Sequence, residues 1–221
     1  MSQPHGTLSA SCDPAPWSGP VGRGAVVVAL VRHGRTAWNR ERRFLGHTDL
    51  PLDDQGMAEV QALAGALGRP FARVYSSPLA RAWQTATALH PEPVRVDDLR
   101  ELSHGDLEGL RATEAMRRWP DFFARWADDP CVTEVPGGES LGACRDRSLA
   151  ALTRIAEAHR PGTLVAAVTH QLVIAGLTCT LAGHDLRRWT AHGIGNARMS
   201  LVALQDGRWE LIARDWSPVA G

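Results

Sequence analysis

The residues of this chain best suited to chemistry sit in the run from Ala25 to Asn39, AVVVALVRHGRTAWN. Apolar or small residues lead into Arg32, His33, Gly34, Arg35, Thr36 and Asn39, a group of donors with an imidazole among them. Arg32 offers a planar fork of N–H groups that matches phosphate, and Thr36 and Asn39 add further hydrogen bonds. Gly34, lacking a Cβ, leaves room for a ligand to approach the backbone. This is a set for handling anions, with His33 either a nucleophile or a phosphate ligand. A second imidazole, His170, follows another apolar run, Thr163 to Thr169 (TLVAAVT). Arg81 comes shortly after Ser77-Pro78, a cap residue and a Pro that open a helix. In the first turn of that helix, free N–H groups and the helix dipole also favour an anion.

These side chains need elements to carry them. Both apolar runs are short, continuous and rich in Val, the pattern of strands buried on both faces of a parallel sheet. In an open α/β sheet, ligands bind beyond the carboxyl ends of such strands, so both imidazoles are expected at one crevice. Phe71–Ser76 and Val94–Val96 read as further short strands, and 199–204 with 209–216 as a closing hairpin around Asp206-Gly207. Helices are expected from a cap at Asp53 or Asp54 to about Leu67, over 111–126, from Ser140 to about His159, and over 172–182. Trp119, Phe122, Phe123 and Trp126 fall on faces of the 111–126 segment that could form a lid. Residues 40–52 read as a polar loop beside the site, with Arg40 and Arg42 on its solvated face, Arg43 and His47 within reach of a substrate, and Phe44 and Leu45 at the pocket mouth.

Composition narrows the chemistry. The chain has 221 residues, enough for one sizeable α/β domain, and a formal net charge of zero, which gives no electrostatic reason to expect a nucleic-acid partner. All 24 basic residues are Arg, so lysine Schiff bases and a Walker-type phosphate loop are excluded. The four cysteines (Cys12, Cys131, Cys144 and Cys179) show no metal-ligand spacing and read as reduced thiols of a cytoplasmic protein. No apolar run approaches the ~20 residues of a membrane span. Residues 1–23, rich in Pro, Gly and Ser and including His5 and Trp17, read as a disordered extension without signal-peptide features, and 24–221 as the folded domain.

The RHG turn with Thr36 and Asn39, the stretch SSPLARAWQTA around Arg81, the segment ELSHGDLEG and the second strand-end His occur in the order of the histidine phosphatase superfamily, also called phosphoglycerate mutase-like. The chain resembles this family over about residues 25–216. The resemblance implies an α/β three-layer sandwich: a mostly parallel central sheet with helices on both faces. It also implies phosphomonoester hydrolysis through a phosphohistidine on His33, with no metal or cofactor. Arg32, Asn39, Arg81, His170 and Gln171 would bind phosphate, and His170 would also serve catalysis. Glu101 aligns with the proton donor, Glu108 with a loop-shaping acid, and His104 is left as pocket wall. Gln171 stands where a Gly usually follows the second His, so its side chain is expected to narrow the pocket or touch the leaving group.

The partner implied is a small phosphomonoester, with no membrane or nucleic acid, and a homodimer is left open. The short interval from Glu101 to His170, and Leu45 near where mutases place a hydroxyl residue, favour hydrolysis over mutase-type phosphoryl transfer. A catalytically inactive binding protein of the same fold is the rival from another class. A metal hydrolase using His33, His104, His170 and His192 is a third reading, without the ligand spacing of known zinc motifs. The PGGES stretch at 136–140 is similar to that of the phosphatase branch, including α-ribazole phosphatases and broad-specificity phosphatases.

Overall fold

The computed structural model describes residues 24–67 and 71–217. The expected extension at 1–23, with His5, Cys12 and Trp17, lies outside the described residues. The centre of the fold is β1 (Val26–Arg32), every residue of which is buried. Its side chains alternate between two cores, as the two-residue period of a strand requires. Val26, Val28 and Leu30 face one, while Val27, Ala29 and Val31 face the other. A strand buried this way needs apolar neighbours on both edges. It finds them in β4 (Leu164–Thr169), which is parallel to it, and β5 (Met199–Gln205), which is antiparallel.

The sheet is completed by β2 (Val74–Ser76), β3 (Val94–Arg95) and β6 (Arg208–Trp216), in the order β3-β2-β4-β1-β5-β6. β1 to β4 run parallel, and β5 and β6 add the antiparallel edge. Helices α2 (Asp54–Ala66) and α3 (Ala80–Leu89) supply Val60, Leu63, Ala82 and Ala86 to one face. Helices α6 (Leu141–Glu157) and α7 (Gln171–Leu181) supply Leu141, Leu152, Val173 and Ile174 to the other. The result is the expected three-layer sandwich. Helix α1 (Ala37–Glu41) is a single capped turn just after β1.

Three local expectations need correction. The 111–126 segment is not one helix: α4 (Ala112–Arg118) stops and α5 (Pro120–Asp128) starts afresh with Pro120 at its head. Proline has no N–H for the preceding turn and its ring clashes there, so a chain with Pro at this point restarts rather than continues. The helix carrying Arg81 begins at Ala80, after Leu79, and Ser77 does not cap it. Gly34 serves helix packing instead of ligand approach, because a Cβ there would sit 2.6 Å from the Gly56 carbonyl and 2.7 Å from Val60 of α2. Among the described residues, no helix is long and apolar enough to cross a membrane.

Candidate active site

Arg32 of β1 pairs in register with Thr169 of β4, and the His33 amide donates to the Thr169 carbonyl at 3.1 Å. The next residue on each strand is a histidine. Adjacent strands lie about 4.8 Å apart, and the rings of His33 and His170 accordingly come to 5.1 Å between centroids. Sheet register alone therefore brings together two imidazoles far apart in sequence.

Each ring is oriented through one nitrogen. His33 Nδ1 lies 2.7 Å from the Gly34 carbonyl, which can only accept, so Nδ1 carries the proton and Nε2 keeps its lone pair. His170 Nε2 lies 2.8 Å from the Ser77 hydroxyl, leaving Nδ1 free. Here Ser77, expected as a helix cap, is found holding a ring. Burial drives the pKa of both imidazoles well below the usual 6.5, and Arg81 and Arg32 add to the effect.

The two arginines are anchored at their tips. Arg32 Nη1 donates to the Ile194 carbonyl at 2.6 Å, and Arg81 donates through Nη1 to Thr48 O and through Nη2 to Gly46 O, at 3.0 and 2.7 Å. Burial lowers both pKa values, to about 10, so both groups remain cations at neutral pH. Among the described residues, the buried side-chain nitrogens without a hydrogen-bond partner are Arg32 Nε, Arg81 Nε and His170 Nδ1.

Glu101 is buried beside these groups, and burial raises its pKa against the opposing pull of two backbone donors, Arg81 and Arg32. The donors are Leu102 N, 2.9 Å from Oε1, and Leu172 N in the first turn of α7, 3.3 Å from Oε2. The loop carrying Glu101 is held from behind by Arg147 of α6. Its Nη1 donates to the Asp98 and Arg100 carbonyls, its Nη2 to the Glu101 carbonyl at 3.0 Å, and Glu139 of PGGES pairs with it at 2.6 Å. No short motif marks Arg147. Its role is visible only once α6 is packed against the loop.

Arg32, His33, Asn39, Glu101 and Gln171 line a pocket of about 210 Å³. Arg81 and His170 are wholly buried beside it. Asn39 Oδ1 accepts from the Thr36 N–H in a capping box at the head of α1, and from Asn196, so only its amide NH₂ is left to donate to a ligand. Arg42, expected on the solvated loop face, is exposed and also lines the pocket mouth. It ends α1 in the left-handed region, at φ 56°, a conformation that turns the chain sharply. His47 stands outside the pocket lining, with Nε2 donating to the Glu101 carbonyl at 2.9 Å. Glu108 accepts from His47 N, Thr48 N and the Thr48 hydroxyl, and so braces the loop that grips Arg81. His104 is pocket wall, as expected. His192 bonds His184 at 2.9 Å, and among the described residues no three His, Cys, Asp or Glu side chains are grouped to hold a metal.

This electrostatic arrangement predicts a pH-dependent stability. Unfolded, the imidazoles of His33, His104 and His170 take a proton near pH 6.5. Folded, burial holds them neutral, His104 down to about pH 4. Over that interval the unfolded chain binds more protons, so stability rises with pH, by up to ~1.4 kcal/mol per pH unit for each group. Glu101 acts in the opposite sense. Its raised pKa stabilises the fold below the unfolded value of 4.5, and that contribution is lost as pH climbs through the folded value. His159 and His192, also lowered by burial, act in the same sense as these three, so the urea midpoint in phosphate-free buffer should be lower at about pH 5 than at about pH 7.5; equal midpoints would contradict neutral burial of the imidazoles.

Comparison with known proteins agrees with this geometry. The family model of the histidine phosphatase superfamily (branch 1) matches residues 28–216. Phosphoserine phosphatase 1 of Hydrogenobacter thermophilus is 33% identical over 188 residues, covering 83% of this chain and 89% of that protein. The metal-independent phosphoserine phosphatase of Arabidopsis thaliana is 36% identical over 202 residues, covering 87% and 82%. A solved mycobacterial glucosyl-3-phosphoglycerate phosphatase superposes with a TM-score of 0.78 at 28% identity, over 87% of this chain and all of that one. With two strand-end histidines in register and a family model spanning nearly the whole described fold, the chain belongs to the histidine phosphatase superfamily, branch 1.

Proposed function

We propose that the protein hydrolyses small phosphomonoesters in two steps through a phosphohistidine on His33, without a metal ion. The observation that carries this reading is the set of three buried, unpartnered nitrogens, Arg32 Nε, Arg81 Nε and His170 Nδ1, around a neutral His33. Leaving a buried donor unpaired costs ~1–3 kcal/mol, and with the Ser77 hydroxyl donating to His170 Nε2, so that Nδ1 carries the ring proton, a phosphoryl group satisfies all three at once. Two fixed guanidinium cations and an imidazole donor then meet the charge on its equatorial oxygens. Fixed donors of this kind are usually the largest catalytic contribution, at ~3–4 kcal/mol each where removed.

In the first step the lone pair of His33 Nε2 attacks phosphorus, and the P–O bond to the alcohol breaks. Glu101, kept protonated more readily by burial, delivers its proton to the departing oxygen. In the second step the Glu101 carboxylate takes a proton from water, whose oxygen attacks phosphorus, and the P–N bond breaks to free His33 and inorganic phosphate. Asn39 and the backbone N–H of Gln171, at the head of α7, are further phosphate donors in this reading. The three free thiols among the described residues, Cys131, Cys144 and Cys179, suit a cytoplasmic metabolite hydrolase.

The reading is tested by a screen of phosphomonoesters on the purified protein with and without EDTA. Phosphoserine, the substrate named for two of the relatives, belongs in the first set. Turnover should be unchanged by chelator, since every proposed contact to phosphate comes from a side chain or the backbone. Activity lost on chelation and restored by zinc or magnesium would overturn the metal-free mechanism.

A further inference from the structure

The break at Pro120 has a consequence beyond helix geometry. It folds α4 and α5 into a cap whose apolar side faces a second cavity, of about 470 Å³. Phe44, His104, Leu172 and Trp189 line both this cavity and the phosphate pocket, so the two lie side by side across a shared wall of side chains. The far side is built by Met116 of α4 and by Phe123 and Trp126 of α5. Phe44 joins the two walls, packing against His104 at 5.2 Å and Phe123 at 6.3 Å between ring centroids.

Apart from Arg187, the lining is apolar or neutral. Among the described residues no carboxylate lines it. Its cation, Arg187, already gives Nε and Nη2 to the two oxygens of Asp185, at 3.0 and 2.9 Å. His104, buried on the shared wall, is neutral at physiological pH. For an ester whose phosphate is held by Arg32, Arg81 and His170, the apolar cavity of about 470 Å³ is the neighbouring space that could take the rest of the molecule.

We propose that this cavity binds the alcohol part of the substrate, and that the alcohol is apolar: an alkyl or aryl group of up to about ten carbons, at ~30 Å³ for each water-sized group with allowance for incomplete filling. This inference rests on the phosphatase reading above and names its substrate class. The driving force is removal of apolar surface from water, which scales with the length of the chain that enters.

The test is a series of n-alkyl phosphates from ethyl to octyl. Their leaving alcohols have nearly the same acidity, so differences report binding at the alcohol and not ease of bond breaking. Each methylene that enters the cavity should raise kcat/KM by roughly three- to fourfold, so hexyl phosphate should exceed ethyl phosphate by on the order of 10². Ala127→Trp, on the exposed side of α5 but lining the cavity, fills it from a position remote from the phosphate. That variant should flatten the series while leaving ethyl phosphate turnover within about twofold. Calorimetric binding of hexylphosphonate against methylphosphonate reads the same preference without turnover.

A flat alkyl series with ethyl phosphate still hydrolysed, and equal phosphonate affinities, would overturn the subsite and leave the phosphatase reading intact. The same holds if Ala127→Trp keeps the full chain-length gain. If no ester turns over but hexylphosphonate binds far more tightly than methylphosphonate, the apolar site stands as a binding site and the hydrolytic reading fails.

Discussion

Replacing His33 with alanine is expected to abolish phosphomonoester turnover, a loss on the order of 10⁴ or more, as for other enzymes deprived of their nucleophile. The argument begins with the tautomer. Nδ1 is committed to the Gly34 carbonyl at 2.7 Å, so the free lone pair is on Nε2. Burial, reinforced by Arg81 and Arg32, keeps the ring neutral and hence nucleophilic at physiological pH. Among the other pocket-lining residues, His104 lies on the wall shared with the apolar cavity, and Asn39, Gln171 and Trp189 have no comparable nucleophilic atom. The fold should survive, because His33 stands past the end of β1 and belongs to neither hydrophobic core. A destabilisation of ~1 kcal/mol would move the melting temperature by only ~2–4 °C for a chain of this size. A folded His33→Ala variant with a near-normal rate would remove His33 from the mechanism.

Glu101→Gln should show the next largest effect, and one that depends on the ester. Alkyl phosphates leave as poor alkoxides that need a proton as the P–O bond breaks, whereas p-nitrophenolate hardly needs one. Loss of the acid should cut alkyl-ester turnover by ~10²–10⁴, with a smaller loss on p-nitrophenyl phosphate when phosphoenzyme formation limits the rate. Single-turnover measurements isolate that step. Glu108→Gln should behave differently. Glu108 braces residues 47 and 48, and the carbonyls of Gly46 and Thr48 hold Arg81. Its loss should therefore slow both esters alike, by no more than about tenfold. If Glu108→Gln shows the leaving-group dependence and Glu101→Gln does not, the acid has been misplaced.

The scaffold was legible wherever burial is total. β1 and β4 are uninterrupted apolar runs, and a strand buried on both faces can hardly read otherwise. Because each run ends in a histidine, their meeting followed from parallel pairing alone. What escaped the sequence depends on contacts between distant segments. Ser77 looks like a helix cap because its neighbours satisfy the local rule, yet its hydroxyl is taken by His170, remote in the chain. The glycine at 34 signals a close approach without saying of what, and the answer, α2, requires knowing where that helix packs. Pro120 was visible, but the aromatic residues on either side of it suggested an unbroken stripe. The apolar cavity exists because that stripe is folded in two. Arg147 belongs to no pattern, and only the packing of α6 against the acid-bearing loop gives it a role.

The most direct test of the account is acid-free rapid quenching of the wild-type protein during turnover of a labelled phosphomonoester, followed by peptide mapping. The two-step mechanism predicts one phosphoryl group per active site, stable in base and labile in acid, on the peptide that contains His33. It should be missing from His33→Ala. Phosphate found on another residue, or turnover at the normal rate with no phosphoenzyme at any time point while trapping is shown to be efficient, would contradict a phosphohistidine on His33.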